Sequence, residues 1–283
     1  MNYYHLNNGI KIPALGFGVW NLNDPELCKN ILISAIQAGY RLIDTASAYL
    51  NETAVGEAIK ESGVKRDELF VTSKLWIQDT GYEKTKEAFE RTLQRLGLDY
   101  LDMYLIHWPY GDIAGSWKAM EELYHEGKIK AIGVSNFSIR DMQNLLEIAS
   151  VKPVVNQVEC HPIFQQKELR AFLKENDIYL EAWFPLGSGN KDLLENQQLK
   201  QIADKYGKET AQVILRWHVQ EGGIALPKST KQKRIESNFA IWDFELTEQE
   251  MNVIRSMDTN KRLSNDPEDE EVKKKITSWV LDI

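Results

Sequence analysis

The sequence predicts an α/β fold, a single (β/α)8 TIM barrel over residues 1–283, with an N-terminal β-hairpin at its base and extra C-terminal helices. Short apolar, β-branched runs recur at roughly 25–35 residue intervals, each followed by an amphipathic stretch long enough for a helix, and this alternation predicts parallel strands. Eight such runs occur, which suggests closure into a barrel, and 283 residues with 43% hydrophobic composition suit one barrel. No GxGxxG is present: Gly16-Phe17-Gly18 and Gly187-Ser188-Gly189 each lack the third glycine. The open doubly wound sheet would carry that fingerprint after its first strand, so the barrel is favoured.

Along the chain, Tyr3–Leu6 and Ile10–Ile12 flank Asn7-Asn8-Gly9, and Asn-Gly supplies the positive φ angles of a tight hairpin turn. The barrel strands are expected at Ala14–Gly18, Leu42–Asp44, Phe70–Leu75, Met103–Ile106, Ala131–Ser135, Val154–Glu159, Tyr179–Trp183 and Ile224–Leu226. Between the last two there is room for two helices, about Asn196–Tyr206 and Ala211–Gln220, broken at Gly207. Thr247 and Glu250 form a capping-box pattern for a helix running to about Met257, and the charged stretch from Ser264 on is expected to be helical near its end.

Composition excludes several classes of function. A formal net charge of −8 provides no basic field for nucleic acid, and the longest basic run, Lys273-Lys274-Lys275, reads as a solvated helix face. Cys28 and Cys160 lack the partner spacings of a metal site or disulfide framework, so no metal and reduced thiols are expected. The start, MNYYHLNNGIKIP, is not a secretory signal, and no run of about 18 apolar residues occurs, so a cytoplasmic protein without membrane association is expected. Asn51-Glu52-Thr53 and Asn136-Phe137-Ser138 are then chance glycosylation sequons.

Reactive groups of such a barrel sit where strands end. Asp44 ends RLID, Tyr49 follows in the same βα loop, Lys74 ends FVTSK and His107 ends MYLIH. Each alone has an ordinary reading as a cap, a core tyrosine or a solvated lysine. Together, and without a Ser or Cys nucleophile, they point to proton transfer. A free phenol has a pKa of about 10, and an acid working near neutrality should be closer to 7, a difference of about 4 kcal/mol. Lys74 is the cation expected to lower Tyr49, Asp44 the carboxylate expected to hold that cation, and His107 the group expected to orient a substrate oxygen.

These residues also carry a family resemblance. GYRLIDTASAYLNETAVG at Gly39–Gly56 closely resembles the long signature of the aldo-keto reductases, and the similarity continues through VTSKLW, LIHWP, GVSNF, WFPLGSG and LPKS. The resemblance covers essentially Tyr3 to Leu263. It implies reduction of an aldehyde or ketone by the tetrad Asp44, Tyr49, Lys74 and His107, with hydride from NADPH and the proton from Tyr49. It further implies that Ser135, Asn136 and Gln157 hold the cofactor's carboxamide, that Trp183 stacks on the nicotinamide, and that Pro185, Leu186 and Ser188 pass over the pyrophosphate. Lys228, Ser229 and Arg234 match the family's 2′-phosphate pocket, which favours NADPH over NADH, and Asn238 matches its adenine contact.

Two departures stand out. Ser237 occupies a position where glutamate is common, and Asn21 and Asn190 stand where some members bridge Lys to Asp across the cofactor, so a weaker clasp and fast NADP+ release are expected. Trp20, Trp76 and Trp108 fall in loops after strands one, three and four and are expected to wall a small carbonyl substrate. Family habit implies a monomer. A nicotinamide-binding subunit without turnover and a phosphate-binding barrel isomerase or lyase are the other readings compatible with these residues.

Overall fold

In the computed structural model, which describes residues 2–283, the chain begins with the hairpin β1 (Tyr3–His5) and β2 (Lys11–Pro13). Eight parallel strands follow: β3 (Gly16–Gly18), β4 (Leu42–Asp44), β5 (Phe70–Leu75), β6 (Met103–Ile106), β7 (Ile132–Ser135), β8 (Val155–Glu159), β9 (Tyr179–Trp183) and β10 (Ile224–Ala225). They lie in chain order in one sheet. The ring closes where the Ala225 N–H donates to Ala14 O at 3.1 Å and the Gly18 N–H to Pro227 O at 3.2 Å. The expected strands are all present. Ala14, Leu15, Ala131, Val154 and Leu226 fall just outside them, their backbones bonding as single rungs rather than continuing a ladder.

The hairpin turn differs from the sequence expectation. Leu6 O accepts from the Gly9 N–H at 2.8 Å, and only Gly9 takes a positive φ, of 84°. The loop is therefore a three-residue turn ending in a left-handed glycine, not a two-residue turn with both φ angles positive. Its asparagines fix the hairpin to the sheet: Asn7 Nδ2 donates to Pro153 O at 2.9 Å, and Asn8 Nδ2 to Lys130 O at 3.0 Å, just ahead of β8 and β7. Leu6 and Ile12 thereby join Leu42, Met103, Leu105, Val155 and Leu226 in the apolar filling of the barrel. Gly16 and Gly133 make room for that filling, since a Cβ there would come within 3 Å of Leu42 and Leu226, or of Leu105 and Val155. With the N-terminal ends plugged, the C-terminal ends form the mouth.

Amphipathic helices surround the sheet, and a second, larger apolar cluster fills the space between them and the strands. The pair after β9 runs Gln197–Tyr206 and Thr210–Gln220, separated at Gly207 with φ 63°. The capping box of Thr247 and Glu250 opens the helix Glu248–Arg255, and a last helix spans Glu270–Thr277. No helix of the described residues is long and apolar enough to cross a membrane. Both sequon asparagines, Asn51 and Asn136, are buried with their amides bonded within the protein.

Helix Glu52–Glu61 crosses helix Tyr82–Leu96 so closely at Gly56 that a Cβ there would sit 2.2 Å from Leu96 O. Backbone cannot yield as a side-chain tip can. Gly56→Ala is therefore expected to lower stability by about 1–3 kcal/mol in urea unfolding, although alanine is the better helix former. An unchanged midpoint would show that the two helices can separate freely.

Candidate active site

Each residue of the expected proton-transfer group is held by backbone geometry at the barrel mouth. Asp44 closes β4, Lys74 lies in β5 one residue from its end, and His107 directly follows β6. Tyr49 ends a single 3-10 turn, Ser47–Tyr49, pinned to β5 by Ser47 Oγ donating to Lys74 O at 3.0 Å. Asn51 secures the same loop, accepting from Thr45 Oγ1 and donating to Val19 O, both at 3.0 Å.

The Lys74 ammonium is 0% exposed. It donates to Asp44 Oδ1 at 2.7 Å, to Asp44 Oδ2 and Thr45 O at 2.8 Å, and reaches Tyr49 Oη at 3.3 Å. Burial alone would lower the Lys74 pKa; Asp44 and then Tyr49 outweigh it, and the ammonium is held above its ordinary value. Tyr49 departs from expectation. Burial raises its phenol more than Lys74 lowers it, and Asp44 adds to the rise. The short contacts commit the ammonium to Asp44, so its pull on the phenol is partial, and Tyr49 carries its proton at neutral pH.

His107 presents its ring edge to Tyr49, with centroids 5.7 Å apart and planes at 78°, and to Trp76 at 5.3 Å and 73°. Its Nδ1 is buried without a partner among the described residues, and burial followed by Lys74 pushes its pKa well below the ordinary value. A neutral imidazole can orient a substrate oxygen, and it is no proton source near pH 7.

One cleft of about 970 Å³ runs from these groups across the mouth. Every cofactor and substrate residue anticipated from sequence lines it. At its inner part Asn136, with a left-handed φ of 65°, donates to His107 O and accepts from Trp183 Nε1, both at 3.0 Å. Ser135 Oγ donates to Gln157 O at 2.9 Å, and Gln157 Nε2 donates to both Asp44 Oδ1 and Glu181 Oε2 at 2.8 Å. Beyond Trp183 the chain turns at Phe184, φ 53°, into Pro185, Leu186 and Ser188. His218, neutral because burial drives its pKa to about 3, meets Pro185 O at 3.2 Å and anchors this loop.

At the outer part, Lys228 is lowered by burial, has no carboxylate partner among the described residues, and donates to Trp20 O at 3.0 Å. Arg234 is exposed and forms no ion pair among the described residues. Ser229 and Asn238 are buried beside them. Two cations without anions, a hydroxyl and an amide form a donor set suited to a phosphorylated ligand. Asn21 and Asn190 are engaged locally, with Asn23 and with the Leu193 N–H. What spans the cleft instead is Trp20, whose ring lies 5.3 Å from that of Phe184.

Sequence reasoning missed three contributors. The terminal segment lines the cleft through Ser264, Asn265, Ile276, Trp279 and Leu281, and it is tied down where Trp76 Nε1 donates to Trp279 O at 3.2 Å. The i, i+4, i+7 spacing of Val272, Ile276 and Trp279 was its signal, although the helix itself ends at Thr277 before the tryptophan. Glu209 brings a carboxylate to the outer cleft beside Ser237, whose Oγ donates to its Oε2 at 3.4 Å. Glu181, fully buried on β9, enters the Asp44 network.

Comparison with known proteins adds a consistent set of relatives. The model of the Aldo/keto reductase family matches residues 14–259. The chain is 50% identical over 265 residues to glyoxal reductase of Bacillus subtilis (strain 168), covering 93% of this chain and 95% of that one. It is 49% identical over 269 residues to 9,11-endoperoxide prostaglandin H2 reductase of Trypanosoma cruzi, covering 94% and 95%. Among solved structures, an aldo-keto reductase from a Medee basin deep-sea metagenome library superposes with a TM-score of 0.92 at 44% identity, covering 94% and 98%. A Bombyx mori aldo-keto reductase in complex with NADP superposes with a TM-score of 0.89 at 33% identity, covering 93% and 95%.

The electrostatics give a direct test. At pH 5.5, nitrogen-15 NMR is expected to show His107 and His218 still as neutral imidazoles, because both are depressed below the ordinary value of 6.5. An imidazolium signal from His107 at that pH would contradict its assignment as a neutral donor.

Proposed function

Since the chain belongs to the aldo/keto reductase family, a family of oxidoreductases, we propose that it reduces aldehydes and ketones to alcohols with NADPH, Tyr49 providing the proton. The observation that carries this reading is the Lys74 ammonium, bound by Asp44 and 3.3 Å from Tyr49 Oη, at the inner end of a cleft that continues to Arg234. The cofactor, when bound, supplies hydride to the carbonyl carbon. As charge builds on the carbonyl oxygen, Tyr49 donates its proton to it; an alkoxide is a far stronger base than a phenolate, so the raised phenol pKa does not prevent transfer. Lys74 then stabilises the phenolate, and Asp44 keeps Lys74 charged within the barrel. Neutral His107 orients the carbonyl oxygen toward Tyr49. In alcohol oxidation Tyr49 acts as the base.

Ser135, Asn136 and Gln157 would hold the carboxamide, Trp183 would face the nicotinamide, and Pro185, Leu186 and Ser188 would cover the pyrophosphate. Lys228, Ser229 and Arg234 suit a 2′-phosphate, with Asn238 at the adenine. Trp20, Trp76 and Trp108, joined by Trp279 and Leu281, would wall the substrate. All of these groups come from one chain, so a monomer suffices. The buried free thiols of Cys28 and Cys160 accord with a cytoplasmic setting.

The test is loss of NADPH absorbance with a panel of carbonyls that includes small dicarbonyls, the class suggested by the glyoxal reductase relative. NADPH binding without any turnover would favour a binding subunit instead. Tyr49→Phe is expected to lower kcat by roughly 10²–10⁴-fold while leaving NADPH affinity nearly unchanged, because the hydroxyl acts mainly in the transition state. Retained turnover would remove Tyr49 from its role. Arg234→Met should weaken NADPH by roughly tenfold or more and leave NADH almost untouched. Equal losses for both cofactors would refute the phosphate assignment.

A further inference from the structure

Glu181 is a buried carboxyl that the reaction above does not use. It points into the barrel from β9 opposite Gln157, with which it is in register, and its other neighbour, β10, offers only Ile224 and Ala225. Its Oε2 accepts from Gln157 Nε2 at 2.8 Å, and its Oε1 has no partner among the described residues. The same nitrogen donates to Asp44 Oδ1 at 2.8 Å. An amide has two protons on nitrogen and none on oxygen, so two carboxyl acceptors on one side fix which way it faces. The Gln157 oxygen is thereby left for the cleft that the residue lines.

We propose that Glu181 is a positioning residue for the reduction: it fixes the Gln157 amide with nitrogen toward Asp44 and oxygen toward the cofactor cleft, and its charge state tunes the proton affinity of Tyr49. The inference rests on the reductase reading and extends it to a residue outside the tetrad. The charged and titratable groups facing Glu181 are Asp44 from β4, Lys74 from β5 and Tyr49 from the turn after β4. Burial, and then Asp44, push the carboxyl well above the ordinary carboxylate range, which favours its protonated form. In that form Lys74 balances one carboxylate, Asp44. When Glu181 ionises, a second negative charge enters the same network and holds the Tyr49 proton more tightly.

Two variants separate the two parts of this role. Glu181→Gln keeps an acceptor for Gln157 and removes the charge; it is expected to retain the parent kcat and KM for NADPH near neutral pH. Its alcohol-oxidation rate should rise with pH along a limb shifted lower by roughly half a unit or more, because no second charge raises Tyr49. Glu181→Leu removes the acceptor and should raise KM for NADPH about 5- to 10-fold, as one positioned hydrogen bond is lost. Difference infrared spectroscopy of the unmodified protein should show a protonated-carboxyl C=O stretch that persists well above the ordinary carboxylate range and disappears at higher pH, missing from Glu181→Gln. The proposal is overturned if the oxidation limbs coincide, if Glu181→Leu binds NADPH like the parent, or if the infrared signal persists in Glu181→Gln. The infrared titration needs neither NADPH nor turnover, so an inactive protein would sink the reductase reading and leave this test standing.

Discussion

The site depends on one constraint, a lysine ammonium held wholly inside a barrel. An isolated buried ammonium would lose its proton rather than its hydration, since the desolvation cost of a charge far exceeds what packing returns. Lys74 keeps its charge because both oxygens of Asp44 and the carbonyl of Thr45 meet it within 2.8 Å. That arrangement requires β4 and β5 to be neighbours, and their parallel register pairs Asp44 with Thr72, two residues before Lys74, so that the longer β5 carries the lysine past the end of β4. Tyr49 and Gln157 then take their places around an ion pair that already exists. Burial lifts the phenol above its ordinary pKa, and the nearby cation, largely compensated by Asp44, does not bring it back down.

Much of this was legible in the sequence, for a physical reason. A strand buried on both faces reads as an apolar run, and the residue at which the run stops is the residue at the mouth, so Asp44, Lys74 and His107 could be identified without coordinates. Helix caps such as Thr247 with Glu250 were equally visible because their bonds are local. Contacts between segments remote in sequence were harder to read. Trp279 meets Trp76 across 203 positions, and nothing in either neighbourhood predicts the other. Backbone turns were another gap: Phe184 and Ser188 take positive φ values that their side chains disfavour, imposed by the path from β9 over the cleft.

The outer cleft illustrates how a missing ionic bridge can be replaced by other chemistry. Asn21 and Asn190 offer no charges, yet the loops after β3 and β9 still meet, through the rings of Trp20 and Phe184. Lys228 ties the first of these loops to the segment after β10 by way of a main-chain carbonyl. An aromatic contact is weaker in direction than an ion pair and insensitive to salt, so this meeting of the two loops would vary little with ionic strength.

The barrel's closing edge gives that cleft a mechanical character. β3 and β10 are three and two residues long, and their edges are joined by one bridge, between Leu15 and Ala225, and by the bond from the Gly18 N–H to Pro227 O, whereas β8 and β9 pair over five positions. The seam is therefore the thinnest stitch in the ring, and Trp20 and Lys228 stand directly beyond its upper end. Thermal opening of a sheet is favoured where the fewest backbone bonds must break, and opening at this seam would carry Trp20 and Lys228 with it.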